Sequence, residues 1–148
     1  MHRRTQCLLL KKDESKILPV LTDVGLEALY SDKKAAGNFS LGMRQRLGIA
    51  MCLLGDPEFI ILDEPMNGLD PAGIVEIREL ILRLNRRGIT FLISSHILTE
   101  LSLVATKYGI ISKGRLIKEI SAEQLRQECE KSTMLDATDP AALKECIC

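Results

Sequence analysis

Three carboxylates stand close together in Phe59-Ile-Ile-Leu-Asp63-Glu64-Pro-Met-Asn-Gly-Leu-Asp70. Phe59 to Leu62 is a short apolar run bounded by turn signals, the pattern of a strand covered on both faces, so Asp63 and Glu64 fall at its carboxyl end. At that edge of a parallel sheet one carboxylate can hold a divalent cation beside a phosphate chain, and its neighbour can orient water for in-line attack. His96 follows a second such run, Thr90 to Ser94, which sets it at the same sheet edge as Asp63. Ser40 precedes a helical run beginning at Leu41, so its hydroxyl and the free amides of the first turn offer donors to an anion. Each residue also has a plain structural reading. Asp-Glu after a strand can simply open a solvated turn, a lone histidine is more often structural than catalytic, and Ser40 and Asp70 are both good N-caps. The phosphate-cradling pattern G-x-x-x-x-G-K-[ST] that such chemistry needs occurs nowhere in the 148 residues.

The elements that would position these groups are marked by local chemistry. Ile17, Leu18, Leu21, Val24 and Leu26 recur at roughly helical spacing, and Pro19 is tolerable only in a first turn, which places that helix start near Ser15 to Leu18. From Leu41 to Leu54 a second helix begins amphipathic, with Arg44, Gln45 and Arg46 outward. It becomes apolar all round, which predicts a buried C-terminal half, before Gly55 and Pro57 stop it. Asp70 as N-cap, Pro71 in the first position, an apolar stripe of Ile74, Ile77, Leu80, Ile81 and Leu84, and Arg86-Arg87-Gly88 as the stop define a third. Strand, helix, strand is then a βαβ crossover. A helix over about Ile97 to Ala105, short strands at Tyr108 to Ser112 and Arg115 to Lys118 joined at Lys113-Gly114, and a capping box at Ser121-Ala-Glu-Gln124 follow. Asp139-Pro140 opens a last short helix.

At 46% hydrophobic the chain has material for a real core, enough for one domain. Twenty basic and twenty acidic residues cancel, so no long-range field favours nucleic acid or an anionic membrane. The five cysteines show no C-x-x-C pair, which argues against a disulfide framework or a zinc site and fits a reducing cytoplasm. The longest apolar stretch, Leu47 to Leu54, falls far short of the ~20 residues that span a bilayer.

Taken with its flanks, the carboxylate segment resembles the Walker B motif and D-loop of ATP-binding cassette (ABC) ATPases. Phe39-Ser-Leu-Gly-Met43 is similar to the family signature L-S-G-G-Q, Ser94-Ser95-His96 to the switch histidine, and Tyr108-Gly-Ile-Ile-Ser-Lys-Gly114 to the strand pair that closes the nucleotide-binding domain. These blocks lie in family order over about residues 20–120. Leu41 and Met43 depart from the usual Gly and Gln. The F-S-L-G-M form resembles the bacterial drug-exporter subgroup that includes bacitracin and lantibiotic transporters.

The resemblance implies an α/β fold, an incomplete P-loop NTPase with a mostly parallel sheet, flanking helices and part of the helical signature subdomain. Residues 1–120 would be the distal part of the nucleotide-binding domain, with the signature subdomain over about 13–55 and Walker B to the closing strands over about 56–120. Residues 121–148 would begin a C-terminal accessory region. It also implies roles: Glu64 and His96 catalytic, Asp63 on Mg²⁺, and Ser40, Leu41, Gly42, Met43 and Asp70 at ATP. Partners would be a second ATPase subunit, head to tail, and a separate membrane permease, with no nucleic acid, at the cytoplasmic face of the membrane. With no phosphate loop, the chain is expected to be a fragment that binds Mg-ATP weakly by itself.

Rival readings are a catalytically inactive interaction module or truncated gene product, an SMC-type ATPase lobe, and a ribosome-associated cassette protein. The second lacks its sustained heptads here. The third typically carries Asn-His-Leu-Asp where this chain has Asn67-Gly68-Leu69-Asp70.

Overall fold

The computed structural model describes residues 14–31 and 38–130, and the chain divides into two units, Met1–Val104 and Ala105–Cys148. The expected helix at Asp139-Pro140 lies outside the described residues.

In the first unit a 3₁₀ turn, Glu14–Lys16, runs into α1, Ile17–Asp23. Pro19 is thus accommodated in the first turn, as its missing N–H requires. After a second 3₁₀ turn, Glu27–Tyr30, α2 spans Leu41–Leu53, β1 Phe59–Asp63, α3 Pro71–Arg86, β2 Thr90–Ser94 and α4 Leu98–Leu101. β1 and β2 pair in parallel from Phe59↔Thr90 through Asp63↔Ser94, joined through α3 as the crossover topology requires. The core forms where α1, α2 and α3 meet one face of this pair. Leu21, Ile49, Ile60, Ile77 and Leu84 are among its buried members. α3 follows its sequence signals closely. Asp70 Oδ1 accepts the Gly73 amide at 3.0 Å, Ile77, Leu80, Ile81 and Leu84 are buried, and the chain turns out at Gly88 with φ +97°, where glycine carries no Cβ penalty.

Four expectations need correction. Among the described residues the strands are covered on one face only: Ile60 is buried, while Phe59, Ile61 and Leu92 are 51%, 67% and 56% exposed. An apolar run reports a preference for burial, not the presence of a covering layer. The C-terminal half of α2 buries Ile49, Ala50 and Leu53 but leaves Gly48 and Cys52 exposed, because its small residues create no apolar demand on that side. Arg46 does not point outward: it is half-buried, with its guanidinium 3.4 Å from Glu76 on α3 and 3.4 Å from the Gly25 carbonyl. The helix expected over Ile97 to Ala105 is the single turn α4. Ile97 provides no side-chain cap, and Ser102 Oγ donates to the Thr99 carbonyl at 2.7 Å, the local competition by which serine ends helices.

In the second unit β3, Lys107–Ser112, and β4, Arg115–Ser121, pair antiparallel, with a bulge at Ile110/Ile111. The two-residue turn has φ +48° at Lys113 and +73° at Gly114, the primed geometry that matches strand twist. α5, Ala122–Glu130, opens on the expected capping box. The Gln124 amide donates to Ser121 Oγ and the Ser121 amide to Gln124 Oε1, each at 3.1 Å. Among the described residues no helix is long and apolar enough to cross a membrane.

Candidate active site

Parallel pairing brings Asp63 directly beside Ser94 at the carboxyl ends of β1 and β2. Ser94 Oγ donates a hydrogen bond to Asp63 Oδ1. The Glu64 amide in turn donates to Ser94 Oγ and to the Ser94 carbonyl, each at 3.2 Å. Glu64 has left the strand: its φ is +47°, in the left-handed region that costs an L-residue of this kind about 1–2 kcal/mol. The Asn67 amide closes the following turn on the Glu64 carbonyl at 3.1 Å, with Pro65 and Met66 buried beneath it.

Because Glu64 turns back, its carboxylate meets His96. Nδ1 of the imidazole lies 2.9 Å from both Oε1 and Oε2. An ionised carboxylate only accepts, so Nδ1 carries the proton and Nε2 is left out of the pair. His96 is largely exposed and Glu64 about one-third so, which keeps the cluster open to solvent.

Ser40 caps α2 as its position predicts, with Oγ accepting the Met43 amide at 3.1 Å and the carbonyl accepting the Arg44 amide at 3.0 Å. Its hydroxyl proton remains available to an acceptor, as do the first amides of the helix. Met43 packs its side chain on the core. Leu41 fits because the turn opposite carries glycine: a Cβ at Gly68 would lie 3.2 Å from Leu41 Cδ2. Gly42 faces the same turn less closely, since a Cβ there would meet Leu69 Cδ2 at an ordinary contact distance of 3.8 Å. The structure therefore gathers Asp63, Glu64 and His96 in one cluster and seats Leu41 and Gly42 against Gly68 and Leu69. Asp70 stays with α3 as its cap.

A single carboxylate suffices for Mg²⁺, which is commonly held by one or two carboxylates plus substrate phosphates. Asp63 fits, being exposed and fixed through one oxygen by Ser94. Among the described residues no group of three or more His, Cys, Asp or Glu is placed to hold a metal ion, so an all-protein metal cage is not what this edge offers. Ser94, read from the sequence only as part of the switch block, is the residue that joins Asp63 and the Glu64 backbone at this edge. Its signal was a hydroxyl at the last strand position in register with Asp63, which only the pairing makes visible.

Comparison with known proteins bears on the family and the fold. The family model described as "AAA domain, putative AbiEii toxin, Type IV TA system" matches residues 7–102. The lantibiotic transport ATP-binding protein SrtF of Streptococcus pyogenes is 52% identical over 106 residues, covering 72% of this chain and 45% of that protein. The bacitracin transport ATP-binding protein BcrA of Bacillus licheniformis is 50% identical over 121 residues, 81% of this chain and 39% of its own length. The chain thus spans less than half the length of these curated relatives. Among solved structures, an ATP-binding cassette of an ABC transporter in its ADP conformation superposes with a TM-score of 0.70 at 28% identity, over 88% of this chain and 48% of that one. The cbiO1 protein of Clostridium perfringens, part of the ABC transporter complex cbiONQ, gives 0.69 at 32% identity, over 78% and 46%. Matched by an AAA-domain model over most of its length and by cassette structures in fold, the chain belongs to the ATP-binding cassette ATPases, in the company of bacitracin and lantibiotic transport ATP-binding proteins.

Proposed function

We propose that the chain is the signature-bearing part of an ATP-binding subunit that powers export through a separate membrane permease at the cytoplasmic face of the membrane. The observation that carries this reading is the contact of Glu64 with His96 beside Asp63 at the carboxyl edge of the parallel pair. Glu64 is the general base: its carboxylate polarises the attacking water. His96 holds that carboxylate and contacts the terminal phosphate. Asp63 holds Mg²⁺, which when bound neutralises charge on the phosphate oxygens. Ser40, with the Leu41, Gly42 and Met43 turn, closes the nucleotide site of a second subunit, and the turn ending at Asp70 lines the same contact. One chain then contributes to two sites in a head-to-tail pair.

No G-x-x-x-x-G-K-[ST] segment is present, so the nucleotide's phosphates are cradled by residues from elsewhere. The test is therefore made in a chimera in which this chain replaces the matched segment of the S. pyogenes relative. Glu64→Gln keeps size and hydrogen bonding but cannot accept a proton. ATP turnover should fall by roughly 10²-fold or more, the scale of general-base removal, with ATP affinity retained. Unchanged turnover, or lost binding, would refute the role of Glu64.

A further inference from the structure

We infer that Ser94 is a positioning residue for the Asp63–Glu64 pair, its single hydroxyl fixing one carboxylate directly and the other through the backbone. This deepens the reading above, since the pair it positions is the one given the chemistry there.

Asp63 and Glu64 are consecutive, and in a continuing strand their side chains would point to opposite faces. The two can serve one edge only if the chain turns between them, and it does so by putting Glu64 at φ +47°. A non-glycine residue persists there only when its surroundings over-determine it. Ser94 supplies much of that determination. Its carbonyl and its Oγ both accept the Glu64 amide at 3.2 Å. The same Oγ, having accepted from one residue, donates its proton to Oδ1 of the other. A hydroxyl can act both ways at once; an alanine or valine in its place would leave the carbonyl contact and remove the rest. The strand register places Ser94 opposite Asp63, so the link is built into the sheet.

A serine that merely filled the strand end would tolerate any residue of similar shape. Thr and Val are nearly isosteric and differ in the hydroxyl, so Ser94→Thr and Ser94→Val form the decisive pair. The chain has two histidines, His2 and His96, so its imidazole nitrogen spectrum is simple to assign. In the full chain at alkaline pH, ¹⁵N NMR should show His96 protonated at Nδ1, as its contact with Glu64 demands, and Glu64→Ala should abolish that preference. Ser94→Thr should keep the Nδ1–H tautomer. Ser94→Val should lose it, giving a spectrum like that of Glu64→Ala, while the two strand variants melt alike. If Val disturbs the strand end, Ser94→Ala replaces it, with the same expected spectrum. Retention of the Nδ1–H tautomer in a folded Ser94→Val or Ser94→Ala chain would overturn the inference. The spectrum reads geometry without turnover. A chimera indifferent to Glu64→Gln would thus sink the catalytic reading and leave the role of Ser94 standing.

Discussion

Ser40 Oγ is occupied as an acceptor by the Met43 amide and keeps its proton for a ligand, so capping and anion binding use different parts of one hydroxyl. The two uses separate by substitution. Ser40→Ala should cost about 0.5–2 kcal/mol of stability, read by thermal melting, whereas Ser40→Gly should recover most of it because glycine is a tolerated N-cap. If the hydroxyl also donates across a subunit pair, Ser40→Gly in the chimera should fold normally and lose turnover. Wild-type turnover would leave capping as its only role. The caps at Ser40, Asp70 and Ser121 were legible in the sequence because each depends on a partner three residues away. Ser94 was not, because its partners lie 30 and 31 residues distant and are set by strand register. The left-handed turn at Glu64 was likewise hidden, since a glutamate carries no sequence sign of positive φ.

Between elements, the fit of α2 against the turn before α3 rests on Gly68. Its φ is +74°, and a side chain there would press on Leu41. Gly68→Ala should therefore lower stability by about 1–2 kcal/mol from the backbone alone, measured by chemical denaturation, with a further loss from the contact. Adding Leu41→Ala should relieve only the second part. A Gly68→Ala chain as stable as the parent would contradict this packing. In the hairpin, Lys107 and Glu119 bond at 2.9 Å across the strands. The hydrogen bond and charge of Lys107 hold Glu119 below its ordinary 4.5, and those of Glu119 raise Lys107 above 10.5. Their small contribution is complete between those values. It is lost on the acid side as pH falls through the lowered Glu119 value, and on the alkaline side as pH rises through the raised Lys107 value. Protection of the β3 and β4 amides, corrected for the intrinsic exchange rate at each pH, should follow that profile, and Glu119→Gln should flatten its acid side. Element type was readable from periodicity and turn residues. Coverage was not, as the exposed faces of β1 and β2 show, because an amino-acid pattern cannot say which layer is present to meet it.

For the molecule as a whole, Ile61 and Leu92 are paired across β1 and β2 and together with Phe59 form a solvent-facing apolar patch. Exposed apolar patches and unpaired strand edges favour association. The chain should therefore sediment as oligomers at micromolar concentration, and Ile61→Lys with Leu92→Lys should disperse it without changing the helical signal. A monomer that the double substitution leaves unaltered would contradict that. In the proposed pair one chain supplies a water-handling edge to its own site and a signature serine to another. Size-exclusion chromatography of the Glu64→Gln chimera with Mg-ATP should show a nucleotide-holding dimer that disappears on adding Ser40→Gly. A Glu64→Gln subunit that stays monomeric with ATP, or a dimer indifferent to Ser40→Gly, would contradict it.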